Sequence, residues 1–220
     1  MTTDEKKNAL QKVADEIAAT GGGPLAAAGV NSVPGEGNPD AEIMFIGEAP
    51  GFHENEERRP FVGQAGKLLR KAIRDNGFRE DEVYITNIVK YRPPGNRDPD
   101  PAEIAFFQPF LDKQIEIIDP KIIVTVGRFS MYKFLGPAAG ITKVHGQSRT
   151  REWNGKEIVV FPMFHSAAAL RDGKVMQMFL EDFKKLREIL DKINKGQNIG
   201  RKMEDHQEAK EETEEQLKLV

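Results

Sequence analysis

Three polar side chains, Glu48, Asn87 and His165, each stand just past or at the end of an apolar run, and an aromatic residue, Phe61, follows the first of them. Asparagine presents a hydrogen-bond donor and an acceptor side by side, which matches a cis-amide edge such as the N3–H and O4 of a pyrimidine. Phe61 offers a flat face on which a base can stack, worth about 1–3 kcal/mol. An imidazole at His165 suits charge developing on a pyrimidine oxygen, and a carboxylate at Glu48 suits a water that must be held or deprotonated. Together the four read as a pocket for one flipped-out base. Singly, each has an ordinary structural role: a turn carboxylate, a hydrogen-bonded histidine, an asparagine satisfying loop backbone, a core phenylalanine. What favours a site is that three such residues fall at three strand ends. Zinc chemistry fits less well, because His53, His145, His165 and His206 have no His-x-His or His-x-x-x-His spacing.

The elements that must position these residues are legible as apolar runs between breakers. Residues 42–46, 83–89, 121–126 and 158–161 read as strands, and 146–153 reads as a hairpin partner of the last across Asn154-Gly155. Helical periodicity covers 3–19, 63–76, 101–117, 128–135 and 174–193. The first strand ends at Gly47-Glu48-Ala49-Pro50-Gly51, punctuation that makes a sharp turn and lets the backbone approach a ligand. Pro93, Pro94 and Pro99 stop the second. Strands alternating with helices predict an α/β fold, three layers with a central four-stranded, mostly parallel sheet. Ligands of such sheets bind beyond the carboxyl ends of the strands, so Glu48, Asn87 and His165 should meet on one edge.

At 220 residues the chain suits one domain with an appendage. We expect the domain over 1–193 and a charged tail, helical or disordered, over 194–220, where large apolar residues almost vanish. The absence of cysteine excludes disulfides, thiol nucleophiles and cysteine-held metals. No apolar run spans a bilayer and the N-terminus lacks a signal core, so the expectation is a cytoplasmic protein that does not contact membranes. A net charge of −3 does not by itself suggest a nucleic-acid partner, although only the local field at a site matters.

With these residues in view, the chain resembles the family 4 branch of the uracil-DNA glycosylase superfamily. GEAPG followed by RPFVGQAGKLL is similar to its first motif, TNIVKYRPPGNRDP to its second and HSAAALR to its third, with similarity from about residue 8 to 190. The resemblance implies hydrolysis of the N-glycosidic bond of deoxyuridine in DNA, leaving an abasic site, by a monomer acting on single- or double-stranded uracil-containing DNA. It implies that Gly47, Glu48 and Ala49 line the pocket, that Glu48 and Asn96 position the water, and that Phe61 stacks on uracil. Asn87 would read the base's polar edge and His165 would stabilise the departing anion through O2. The 166–171 loop, with Ser166, the wedge Leu170 and Arg171, would enter the duplex, and Arg92 and Arg97 would meet phosphates.

Two departures from that family stand out. Its members typically carry four cysteines holding an iron–sulfur cluster, and this chain has Thr20, Gly23, Tyr91 and Phe107 at those positions. We therefore expect no cofactor, with Tyr91 and Phe107 filling the cluster's place by apolar contact. Ser166 replaces a proline of the third motif, which is expected to loosen the loop. Two other functions remain open from sequence: a glycosylase for another deaminated base such as hypoxanthine or xanthine, and a non-catalytic protein that binds uracil or abasic DNA.

Overall fold

The run Ile43-Met44-Phe45-Ile46 is apolar on both sides of its pleat, and the computed structural model buries both. Ile43 and Phe45 enter one core, Met44 and Ile46 a second, as the two-residue period of a strand requires. The structure describes residues 1–27 and 29–197, and the backbone of 201–202. In chain order the elements are α1 (Thr3–Ala19), β1 (Glu36–Gly37), β2 (Ile43–Gly47), α2 (Phe52–Glu57), α3 (Gln64–Asp75), β3 (Val83–Asn87), α4 (Pro101–Ile118), β4 (Ile122–Val126), α5 (Arg128–Leu135), α6 (Ile141–Val144), β5 (Arg149–Trp153), β6 (Lys156–Met163), α7 (Ser166–Ala169), α8 (Gly173–Asn194) and β7 (Arg201–Lys202).

The strands form one sheet in the order β1-β3-β2-β4-β6-β5-β7. Its centre, β3-β2-β4-β6, is parallel throughout, and these are the four strands expected from sequence. The count of four holds for that centre only. Three more strands extend it: the two-residue β1, antiparallel to β3; β5, which pairs antiparallel with β6 across Asn154-Gly155; and β7, parallel to β5. The short β1 and β7 have no periodic pattern to detect, whereas β5 is the hairpin partner expected from the sequence.

Helices α3 and α8 cover one face through Leu69, Ala72, Ile73, Phe179, Phe183 and Leu186. Helices α4 and α5 cover the other through Leu111, Ile115, Ile118, Met131 and Phe134. The three layers follow. Helix α1 lies outside α4, its Val13 and Ile17 packed with Leu25, Val89, Tyr91 and Phe107. The described part of the chain beyond Asn194 is too short to describe the expected tail, and most of 194–220, His206 included, lies outside the described residues. Among the described residues no helix is long and apolar enough to cross a membrane.

Parallel pairing fixes what meets at the carboxyl edge. Gly47 is the register partner of Asn87. Beyond the strand ends the pairing continues, with Ile88 N–H donating to Gly47 O at 3.0 Å and Val89 N–H to Glu48 O at 3.1 Å. The turn that carries Glu48 is thereby tied to the second motif's strand.

Candidate active site

Gly47 must be glycine because of what lies against it. A Cβ there would stand 2.4 Å from Asn87 Oδ1 and 2.4 Å from Phe61 Cζ, so any side chain would displace both. Asn87 and Phe61 meet over this bare Cα. Asn87 is buried, and none of the described residues hydrogen-bonds its side-chain amide. A buried amide left open toward a cleft can take a ligand's donor and acceptor together.

Phe61 is held in a backbone conformation that side chains disfavour, with φ at 54°, worth about 1–2 kcal/mol of strain. The surroundings over-determine it. Arg70, nearly buried on α3, donates from Nε to Phe61 O at 2.8 Å and from Nη2 to Pro60 O at 2.7 Å. Its remaining donors reach Glu36 at 2.5 Å and Glu80 at 2.8 Å. Glu54 works from the other side: Oε1 accepts from Val62 N–H at 2.9 Å and Gly63 N–H at 2.8 Å, and Oε2 from Gly51 N–H at 3.2 Å. Gly66 lets α3 run against the Phe61 backbone, where a Cβ would lie 2.0 Å from the carbonyl carbon. The Phe61 ring then faces the His165 ring at 6.0 Å between centroids and 28° between planes.

His165 is the N-cap of α7, and its Nδ1 accepts from Ala167 N–H at 3.1 Å. That bond assigns the ring proton to Nε2 and leaves Nε2–H free to donate. Burial, reinforced by the Arg171 charge and opposed by Glu54, pushes the imidazole down to about 4, so it is neutral at physiological pH. Gly127, at φ 96°, lies against the ring, with a Cβ placed there 3.2 Å from His165 Cδ2. Glu48 is half-buried, and among the described residues no donor bonds its carboxylate. Burial, with the Asp98 charge behind it and Arg128 opposing, raises it to about 7.

These groups share one cleft of about 720 Å³. Glu48, Ala49, Phe61, Asn87, Asn96 and His165 all line it, as do Arg97 and Arg171; Gly47, expected among them, does not line it and instead lies against Asn87 and Phe61, which do. Asn96 sits on the rim, exposed, in the left-handed region at φ 55°, with Oδ1 accepting from Arg92 Nε at 2.7 Å. Arg97 is engaged by Glu103 through two bonds of 2.9 and 2.6 Å, which anchors the start of α4. In the third motif Leu170 is 46% exposed and Arg171 exposed, whereas Ser166 is fully buried, its Oγ without a partner among the described residues. Leu170 and Arg171, rather than the Ser166 side chain, therefore reach the surface.

Several residues of the site carry no local sequence signal of their role. Glu54 stands three residues after Gly51, a capping spacing, but its bonds to Val62 and Gly63 depend on the fold. Arg70 looks like an ordinary surface charge in the sequence but is nearly buried, whereas Asp98 and Arg128 stay exposed and pair with each other beside Glu48. Lys90 is fully buried, donating to Thr86 Oγ1, Asn87 O and Gln114 Oε1 at 2.7–2.8 Å.

The residues at the cysteine positions of the resembled family do not fit an iron–sulfur cluster. Tyr91 and Phe107 stack at 5.9 Å between centroids, Phe106 lies over Gly23 where a Cβ would be 2.4 Å from its ring, and the Tyr91 hydroxyl donates to Ile17 O at 3.3 Å. The place holds hydrocarbon and no soft ligand. Among the described residues no group of three or more His, Cys, Asp or Glu side chains could hold a metal.

Comparison with known proteins agrees with this geometry. The family model described as the uracil DNA glycosylase superfamily matches residues 34–191. The chain is 50% identical over 188 residues to the type-4 uracil-DNA glycosylase of Sulfurisphaera tokodaii, covering 83% of this chain and 85% of that protein. It is 49% identical over 165 residues to the type-4 enzyme of Saccharolobus solfataricus, covering 73% and 76%, and 43% identical over 172 residues to that of Thermotoga maritima, covering 77% and 88%. The chain belongs to the uracil-DNA glycosylase superfamily.

Proposed function

We propose that this chain is a uracil-DNA glycosylase: it hydrolyses the N-glycosidic bond of deoxyuridine in DNA, releasing free uracil and leaving an abasic site for base-excision repair. The observation that carries the reading is the meeting in one cleft of an unbonded carboxylate (Glu48), an unbonded amide (Asn87) and an imidazole with its free N–H on Nε2 (His165). The similarity to type-4 enzymes over most of both chains supports the same reaction.

In this mechanism a flipped uracil stacks on Phe61, and the Asn87 amide pairs with N3–H and O4. The C1′–N1 bond breaks with its electron pair leaving on the base. The anion's O2 accepts from Nε2–H of the neutral His165 imidazole, which is too weak an acid to give that proton up and so stabilises the charge as a hydrogen-bond donor. A water held by Glu48, with Asn96 at the rim, adds to C1′ and gives its proton to the Glu48 carboxylate, and uracil later takes a proton from solvent. Leu170 enters the base stack, while Arg92, Arg97 and Arg171 meet phosphates, so binding weakens as salt rises. Unpaired and mispaired uracil cost least to extrude and should react fastest.

The cleft is built from one chain, and a monomer suffices for this chemistry. The seam between α1 and α4 is held by Tyr91, Phe107 and Phe106 in place of a cluster; a purified protein that is brown and absorbs in the iron–sulfur region would overturn that. The reaction itself is tested with a uracil-containing oligonucleotide, scoring free uracil and alkali-labile abasic sites. Release by the parent protein, lost in Glu48→Ala and His165→Ala, is expected. No release from single-stranded, U·G or U·A substrate would overturn the enzyme reading.

A further inference from the structure

Phe52 is the most exposed large aromatic among the described residues, at 52%, and it opens α2 directly after the Gly47–Gly51 turn. Its chain neighbours, Gly51 and His53, line the cleft, while Phe52 itself does not and lies beside it. The Arg92 guanidinium lies over the ring at 5.2 Å from its centroid, and the His53 ring meets it edge-on at 5.4 Å. Arg92 is itself fixed by Asn96 at 2.7 Å, and Asn96 also lines the cleft. A solvent-exposed phenylalanine held in place by a planar cation on one face and an imidazole on its edge keeps its orientation while leaving surface open. Such a residue costs hydrophobic exposure that nothing within the fold recovers.

We propose that Phe52, backed by Arg92, is a second base-stacking platform, which takes the unpaired nucleobase adjacent to the flipped nucleotide when the substrate strand is single-stranded. The inference rests on the glycosylase reading of the cleft. The occupant follows from the chemistry present: an aromatic face for any base, a guanidinium for the phosphate beside it, and continuity with a cleft that takes one nucleotide. A paired neighbour in duplex DNA is already stacked and gains nothing from the ring, so the platform favours single strands.

The test is a double-mutant cycle on binding, read by fluorescence anisotropy with short oligonucleotides that carry one central uracil, in a Glu48→Gln background to prevent turnover. The flanking nucleotides either carry bases or are abasic. Phe52→Ala is expected to raise Kd about tenfold on the single strand with flanking bases, within the range of one base–aromatic stack. Removing the flanking bases should raise the Kd of the Phe52 protein by the same factor and leave Phe52→Ala unchanged, while Phe52→Trp retains affinity. On duplex the Phe52→Ala effect should be under twofold. Independent, multiplicative effects of the two changes, equal losses on single strand and duplex, or no effect of Phe52→Ala would overturn the proposal. Failure of the glycosylase reading is seen separately, as absence of uracil release by the parent protein.

Discussion

Arg70 Nε donates to the carbonyl of Phe61 at 2.8 Å, and this bond fastens a phenylalanine whose φ of 54° its own side chain disfavours. The guanidinium also holds Pro60 O and two carboxylates, so the fork geometry, and not only the charge, sets the ring. Arg70→Lys keeps the charge and loses the fork. It should raise KM for a uracil substrate about tenfold and lower stability by about 1–2 kcal/mol, read by steady-state kinetics and thermal melting. An unchanged KM would show that Phe61 holds its position without Arg70.

Gly47→Ala forces a methyl group into space that Asn87 and Phe61 share, each 2.4 Å from it. A displacement of that size at the reacting centre costs about 100-fold in rate. We expect at least that loss in kcat/KM with the circular dichroism spectrum retained. Activity within tenfold of the parent would mean that the two side chains can move apart without consequence.

Glu48 is raised to about 7, so it is protonated below that pH and ionised above it, and the proposed mechanism needs the ionised form. The kcat/KM profile should rise with slope one through about pH 7 and flatten above. The stability sign is the reverse: between the ordinary value of 4.5 and about 7 the folded state binds a proton that the unfolded state has released, so ionising Glu48 destabilises the fold as pH rises. Glu48→Gln should therefore abolish the kinetic limb. It should also stabilise the protein at pH 8, by on the order of 1 kcal/mol given solvent screening at the open cleft, and much less at pH 4. Equal melting shifts at both pH values would contradict the ionisation.

His165 should not titrate in the physiological range, because burial and Arg171 hold it down at about 4. Nitrogen-15 spectra of the imidazole should show Nδ1 bare and Nε2 protonated from pH 8 to pH 5. Signals that move near pH 6.5 would mean that the Ala167 N–H does not govern the ring.

Lys90 is buried with Thr86, Asn87 and Gln114 as acceptors and no carboxylate beside it, and burial, aided by the Lys133 charge, drives its amine well below the usual lysine range. Lys90→Met fills the volume and orphans those oxygens, one of them the carbonyl of Asn87. A loss of about 2 kcal/mol in chemical denaturation is expected, with KM affected more than kcat. A variant as stable as the parent would assign the network no role in holding Asn87.

What the sequence made legible was the part set by regular periodicity. Four parallel strands carry their ends to one edge, so Glu48, Asn87 and His165 come together although far apart in the chain. The supporting layer was not legible, since Glu54 and Arg70 acquire their partners only after the loop of Phe61 has taken a left-handed turn that no local preference announces. Ser166, expected in the loop that enters DNA, lies instead fully buried, because the loop turns into α7 at His165. The edge strands were undercounted because two residues make no pattern.

The Tyr91–Phe107 stack under α1 has a consequence for how the N-terminal helix is kept. A joint closed by rings answers to temperature and denaturant, through the hydration of apolar surface. It asks nothing of iron supply, chelators or oxidants. Docking of α1 is thereby tied to the same apolar packing that holds the rest of the core.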